Sequence, residues 1–368
     1  MERYRDQPLG SAPHVGVLTT DKLGGFVVTT PLLRGLKERF PNSITDFFGG
    51  ERTSQLEESS NYIDWRYSLF GRQDSLAGLP RAVAQRQDAI GPYDLAINLD
   101  FEPATAFAAA LLNPRYVAGP AMSQDGRGQF MPVDSGPVDA LQSDDWSSDD
   151  LLERYRGLLT SGFIGEIYCR RAYVDTDFFT PEVTVVEPPI PVPDVLMSTG
   201  ATRPAKLWPA ANWVRFVQLC QTEDWSVGLI GAAPADQRTY GVQDAEQTIL
   251  EKTRLTDLRG KLSLPEVAGA LKRARACVTI DNGILHLAYS VGTPTVALLG
   301  ASPVRLWMPP VTNLHLISPA DPCNLCHENR YRNAECLLPV HQCMNSISPE
   351  VAMAKLRRVI RPSRPHQD

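Results

Sequence analysis

Four residues of the chain have the types and spacing to hold an anion: Asp281, Asn282, Gly283 and His286. Asp281 and Asn282 are both good helix N-cap residues, and Gly283 lets a backbone come close to a ligand. His286 falls one turn further on, near enough to donate a hydrogen bond to the same anion. A helix begun there would point its free N–H groups and partial positive end at a bound phosphate. The surrounding stretch, ACVTIDNGILHLAYSVGTPTVALLG from Ala276 to Gly300, supplies the elements that would position these groups. Its apolar runs Cys277–Ile280 and Thr295–Leu299 are rich in β-branched residues, while Ile284, Leu287, Ala288 and Val291 recur at helical spacing. The pattern predicts strand, helix, strand, with the polar cluster at the carboxyl end of the first strand, where open parallel sheets bind ligands.

The string DNGILHLAYSVGTPTVALLGASP resembles the signature of glycosyltransferase family 9, the family of the ADP-heptose:lipopolysaccharide heptosyltransferases. In that family an Asp-Thr-Gly-x-x-His-x-x-Ala segment holds the diphosphate of the donor; here Asn282 stands in place of the Thr. Further matches follow in the family's order. VLMSTG ends in Ser198, Thr199 and Gly200, and AKLWP places Lys206 where the family contacts donor phosphates. Physically, a Lys ahead of a helix start brings a mobile positive charge to a leaving diphosphate. Gly231 and Asp236 follow the next predicted strand, Trp225–Ile230, at a rim the family uses for ribose or base. Gly260, Ser263, Leu264 and Glu266 match its Leu-x-Gly-(Lys)-x-Ser-Leu-x-Glu order, which would bring Leu262 against the nucleotide base, although an apolar residue there would equally serve the core.

The first half of the chain opens with a predicted strand, Val15–Thr19, a glycine-containing turn, and a helix whose face is Val28, Leu32, Leu33, Leu36 and Phe40. The opening is similar to the family's strand and Leu-Gly-Asp-x-x-x-x-Thr-Pro, but Gly25 occupies the position of the Asp taken there as catalytic base. A base must therefore come from elsewhere. Tyr93–Leu99 reads as a strand and Ala104–Leu112 as a helix, so Asp100 and Glu102 sit on another carboxyl rim. A carboxylate there can take the proton of an acceptor hydroxyl. Asp100 is the leading candidate, followed by Glu102 and Asp21; Asp100 would equally serve to cap the next helix. Residues 122–148 show no periodicity and read as an acceptor-side loop, with Ser147 or Ser148 capping a helix over DDLLERYRGLLTSG.

The five prolines between Phe178 and Asp194 form a semi-rigid connector and mark a domain boundary. The expected organisation is an acceptor domain over residues 1–180, a linker over 181–194 and a nucleotide-sugar domain over 195–345. A closing helix and tail would occupy 346–368. Within the second domain the segment 321–345 carries Cys323, Cys326, Cys336 and Cys343 in a C-x2-C-x9-C-x6-C pattern. In a reducing compartment that spacing reads as a tetrahedral structural site for Zn or Fe, with no open position for substrate. Cysteine clusters with a similar sequel also occur in the family without a general need for metal.

At 368 residues, 43% hydrophobic and 21% charged, the chain has the composition of a globular protein large enough for two α/β cores. A net charge of −6 disfavours nucleic acid and anionic membrane surfaces. The sequence shows neither a signal peptide nor an apolar run of membrane length, which points to the cytoplasm. The resemblance implies a GT-B fold, two Rossmann-like domains facing across a cleft. It implies an inverting transferase that moves a heptose from an ADP-activated donor to an acceptor hydroxyl without a metal. The acidic character makes an acceptor other than lipopolysaccharide reasonable, the alternatives being another nucleotide sugar used on a natural product and, as the resemblance to relatives that glycosylate proteins implies, a protein acceptor. The loss of the family Asp at Gly25 leaves room for a sugar-nucleotide-binding partner without activity. Oligomeric state is not set by the sequence.

Overall fold

A computed structural model describes residues 1–71, 75–125, 127–133, 136–237, 242–320 and 323–360; the expected tail 361–368 lies outside them. The chain divides into two compact units, Met1–Thr184 and Val185–Asp368. The first unit is built on strands β1 (Glu2–Arg3), β2 (His14–Leu18), β3 (Ile44–Gly50), β4 (Trp65–Phe70), β5 (Leu95–Asn98) and β6 (Tyr116–Ala118). They pair in the order β1-β6-β5-β2-β3-β4, every pair parallel. The second unit repeats the plan with β7 (Val195–Ser198), β8 (Val227–Leu229), β9 (Thr256–Asp257), β10 (Ala276–Ile280), β11 (Thr295–Leu298) and β12 (Leu314–Ile317). Their order is β12-β11-β10-β7-β8-β9, again all parallel.

In each sheet the chain leaves the first central strand toward one edge, then returns to build the other half. The reversal lies between β2 and β5 in the first unit and between β7 and β10 in the second. Such a reversal opens a crevice at the carboxyl ends of the two central strands, the usual ligand position of doubly wound sheets. All five residues of β10 are buried, as are all five of β2, which is why both read as continuous apolar runs rather than alternating ones.

The second core joins Val195, Met197, Val278, Ile280, Val296 and Leu298 of the sheet to Trp213, Phe216 and Val217 of the helix Ala210–Thr222. The closing helix, Pro349–Ile360, adds Ala352, Met353 and Leu356 to that same core. In the first unit Asp46, fully buried on β3, accepts hydrogen bonds from His14 Nε2 at 2.8 Å, Tyr93 Oη at 2.8 Å and Arg86 Nη2 at 2.9 Å. Burial pushes its carboxyl up, but these donors win and hold it below the usual carboxylate range. The cluster starts from the first residue of β2, at the end opposite the crevice, and ties the sheet's amino edge together.

Two local expectations are overturned. Residues 122–148 are not one loop: Met122 bridges to Phe130, and Pro137–Leu141 forms a short helix. The helix expected over DDLLERYRGLLTSG survives only as Leu151–Arg154, with Asp150 rather than Ser147 or Ser148 at its N-cap. The longer helix follows at Ile164–Arg171. Its start is fixed by Glu166, which is buried and accepts from the backbone N–H groups of Thr160, Ser161 and Gly162 and from two hydroxyls. Glycines at 157 and 162, both at positive φ, break the longer pattern.

Candidate functional site

At the crevice of the second unit, Asn282 is the N-cap of the helix Gly283–Ser290. Its Oδ1 accepts from the Leu285 N–H at 3.1 Å, while its Nδ2 donates to Ser198 Oγ at 3.1 Å and to the Gly200 carbonyl at 2.8 Å. One side chain thus starts the helix after β10 and fastens it to the end of β7. Thr279 Oγ1 strengthens the junction by donating to the Ser198 carbonyl at 3.0 Å.

The capping role expected for Asp281 therefore belongs to its neighbour. Asp281 is 5% exposed and pairs instead with Lys206 Nζ at 2.5 Å. Burial pushes its carboxyl up, yet Lys206 and then the nearby His286 outweigh that and leave it below the ordinary value. Lys206 reaches the site from a single turn of 3-10 helix, Pro204–Lys206, just ahead of the helix Ala210–Thr222.

His286 is 2% exposed, with Nδ1 3.4 Å from the Tyr289 hydroxyl and the Trp307 ring set edgewise at 5.7 Å. Burial pulls its imidazole down to about 4, Asp281 pushing back and Lys206 pulling further. At neutral pH it is an uncharged donor, not a second cation. The consequence for stability has a definite sign. With a folded value near 4 and an ordinary value of 6.5, the unfolded chain takes up the proton first. Stability is whole above pH 6.5 and falls as pH drops, by about 3 kcal/mol at pH 4. Urea midpoints at pH 7.5 and pH 4 measure this; replacement by Gln is expected to remove that share of the slope, and an unchanged slope refutes the assignment.

A second polar network lies behind Thr199. Thr199 Oγ1 donates to Glu246 Oε1 at 2.6 Å, and Arg259 Nη1 and Gln237 Nε2 donate to Oε2 at 2.7 and 2.6 Å. Arg259 also forks onto Asp257, with Nε and Nη2 both at 2.9 Å. Glu246, on the helix Val242–Lys252, is 2% exposed and thereby fixes the rim residue Thr199 from below. Glu246→Ala strips one partner from the buried Arg259, which keeps Asp257, and is expected to cost about 2–3 kcal/mol in urea unfolding, whereas Glu246→Gln retains an acceptor and costs less. Equal losses in the two variants count against the network. Nothing in the spacing of the sequence marked Glu246 or Arg259, because they come from separate elements.

The other donor-side candidates take different positions. Gly200 lies two residues after the end of β7, and Gly231 two residues after β8 with open space where a Cβ would stand. Asp236 is exposed and Leu262 half-buried. Arg203, half-buried, donates to the carbonyls of Tyr331 and Asn333 at 2.8 and 3.1 Å and to that of Ala301. The Ala205 N–H reaches the Ala334 carbonyl at 3.0 Å. The cysteine-rich segment is thus laced to the loop that carries Lys206.

The described residues do not show the four cysteines assembled as the expected metal centre. Four thiolates are chemically suited to Zn or Fe, but among the described residues no three His, Cys, Asp or Glu side chains are grouped to hold an ion. Cys343 is buried on the second core against Gly300, whereas Cys336 directs its thiol toward the Val340 carbonyl and Cys326 accepts from Asn333 Nδ2. Burial pushes the Cys343 thiol up to about 11, the Met344 backbone N–H pulling back and Cys326, Cys336 and Cys323 adding to the rise.

In the first unit, Asp21 follows β2 and Asp100 follows β5, so both stand at the reversal point of that sheet. Asp100 Oδ1 accepts from the backbone N–H of Phe101 at 2.8 Å and of Glu102 at 3.1 Å. It closes a local turn and does not cap the helix Pro103–Leu111, whose N-cap is the exposed Glu102. Gly25 lies in the first turn of the helix Leu23–Arg39, where an added Cβ would meet Lys22 Cβ at 3.7 Å and Thr19 Oγ1 at 4.0 Å. A Cβ would fit there in ordinary van der Waals contact.

Residues 91–336 match the sequence model of Glycosyltransferase family 9 (heptosyltransferase). The chain belongs to this family. Lipooligosaccharide heptosyltransferase 2 of Haemophilus influenzae is 28% identical over 159 residues, 43% of this chain and 44% of that protein. Lipopolysaccharide heptosyltransferase 3 of Escherichia coli is 21% identical over 313 residues, 79% of this chain and 84% of that one. The chain spans less than half the length of the first curated relatives it matches. The E. coli ADP-heptose lps heptosyltransferase II structure superposes with a TM-score of 0.66 at 18% identity, covering 94% of this chain and 98% of that one. That likeness establishes the expected two-domain α/β fold of the family, and the residues of the Asn282 crevice fall inside the matched region of the sequence. Among the described residues no helix is long and apolar enough to cross a membrane.

Proposed function

We propose that this family 9 member transfers a sugar, a heptose carried by ADP, to an acceptor hydroxyl with inversion at the anomeric carbon. The observation that carries the reading is the conjunction at the second crevice: the N-terminus of the helix Gly283–Ser290, pinned by Asn282, beside the Lys206 ammonium. Free backbone N–H groups and one ammonium suit a diphosphate, and in this reading they supply what a divalent cation supplies elsewhere. Asp281 meanwhile holds Lys206 in place, so that the incoming diphosphate shares a cation already positioned.

In the proposed step the acceptor oxygen attacks the anomeric carbon as the bond to the diphosphate oxygen breaks. The electron pair leaves on the phosphate, where Lys206 and the helix amides receive it, and the hydroxyl proton passes to Asp100. Neutral His286 donates rather than titrates. Ser198, Thr199 and Gly200 line the phosphate side, and Gly231, Asp236 and Leu262 the nucleoside side. A charged sugar nucleotide does not cross a membrane unaided, so the reading places the protein in the cytoplasm. The acceptor stays at the level of a glycan, natural product or protein hydroxyl.

Incubation with ADP-heptose and a panel of acceptors, followed by release of ADP, tests the reaction. Release that depends on acceptor supports it. A second reading is favoured by one observation, the glycine at position 25 where the family has an acid: a sugar-nucleotide-binding partner without turnover. That reading predicts thermal stabilisation by ADP-heptose with no ADP released.

A further inference from the structure

The loop after β5 carries a feature that the donor chemistry does not use. Phe101 directly follows Asp100 and is 45% exposed, a large apolar ring presented to solvent beside a carboxylate. Its ring meets that of Trp146 at 5.3 Å between centroids, inclined by 55°, and Trp146 stands edge-on to Tyr168 at 6.3 Å. Under both rings lies the guanidinium of Arg171, 5.8 Å from the Phe101 centroid and 5.0 Å from that of Trp146. Arg171 is only 1% exposed. Its Nη2 donates to the Asn98 carbonyl at 3.2 Å, and among the described residues its Nε and Nη1 have no hydrogen-bond partner.

A buried cation is costly unless something compensates it. Burial pulls this guanidinium down to about 10, with Tyr168 and Asp100 pushing back and Arg3 pulling further, so it stays charged at neutral pH. The negative faces of two aromatic rings are its remaining compensation. In return the charge pins both rings in one orientation. Such a platform serves a ligand that is apolar on one face and hydroxylated at its edge. A pyranose has that character: its axial C–H groups pack on an aromatic face, and its equatorial hydroxyls donate to a carboxylate alongside.

We propose that Phe101 and Trp146 form a platform for a pyranose ring of the acceptor, with Asp100 accepting a hydrogen bond from one of its hydroxyls. The proposal rests on the assignment of the first unit to the acceptor, and it names the side chains that would hold a sugar of that acceptor. Arg171 is a positioning residue that acts through the rings.

Saturation-transfer NMR with methyl α-D-mannopyranoside and methyl β-D-glucuronide as probes tests it on the full chain. The expected result is transfer to the ring C–H protons of at least one probe. Phe101→Ala is expected to reduce that transfer at least threefold and Phe101→Tyr to preserve it. Arg171→Met is expected to weaken it and Arg171→Lys to retain it. Phe101 is exposed on a loop, so its variants report even where Arg171→Met fails to fold. No transfer to either probe, or equal transfer in Phe101→Ala, overturns the platform. The transferase reading fails by a separate sign, the absence of thermal stabilisation by ADP-heptose, a measurement that Phe101→Ala is expected to leave within error of the parent protein.

Discussion

Lys206→Met is expected to slow sugar transfer by about 10²–10³-fold, the usual loss when one preorganised group is removed from developing negative charge. The effect falls on kcat as well as on the donor KM, because the diphosphate gains charge on the leaving oxygen only as the glycosidic bond breaks. The variant also strips the buried Asp281 of its partner, so part of any loss could come from instability. Removing one member of such a pair costs about 3–5 kcal/mol. The double variant Lys206→Met with Asp281→Asn separates the two effects. With the carboxylate neutralised there is no orphan charge, and urea stability is expected to return toward that of the parent protein. Transfer is not expected to return. A double variant that regains most of the rate means the ammonium is only a structural counter-ion, and the phosphate assignment falls with it.

The second large effect is expected at Asp100. Asp100→Asn should lower kcat by about 10³-fold, within the range for loss of a general base, while leaving donor affinity within about twofold. The amide is the clean replacement here, because Asp100 Oδ1 holds the N–H groups of Phe101 and Glu102. The Asn oxygen can accept both, so the turn is kept while the proton acceptor is lost. Glu102→Gln and Asp21→Asn serve as comparisons and are each expected to cost less than about tenfold. Full turnover in Asp100→Asn, or a larger loss in either comparison, moves the base elsewhere. Gly25 offers a positive test. The Cβ of an Asp introduced there meets only ordinary contacts, and in the Asp100→Asn background the residue is expected to restore at least about tenfold of the lost rate by supplying a carboxylate at the neighbouring strand end.

Charge placement also explains why the two crevices divide the work in this reading. The second holds a helix N-terminus and an ammonium, which suit a leaving diphosphate. The first holds Asp21 and Asp100 at its reversal point, which suit proton transfer and repel phosphate. The cysteine-rich segment has a mechanical part, since Arg203 and Ala205 bond it to the loop that presents Lys206.

The strands at the centre of both sheets and the helices beside them were legible in the residue order alone. Continuous β-branched runs and apolar residues at helical spacing are local properties, and β2, β5, β7, β10 and β11 all fall where such runs predict a strand. The start of a helix at DNG was legible for the same reason, since a cap and the helix it opens are built from consecutive residues. What only the tertiary structure decided were the partnerships between distant residues. That Asn282 rather than Asp281 caps the helix, that Asp281 pairs with a lysine 75 residues away, that Glu246 braces Thr199 and that Arg171 lies under Phe101 and Trp146 all depend on which strands lie side by side. The metal reading of the cysteines gains no support from the described residues, for that same reason. Spacing along a chain states which ligands are available, whereas a metal needs them at one point, and convergence is a property of packing rather than of order.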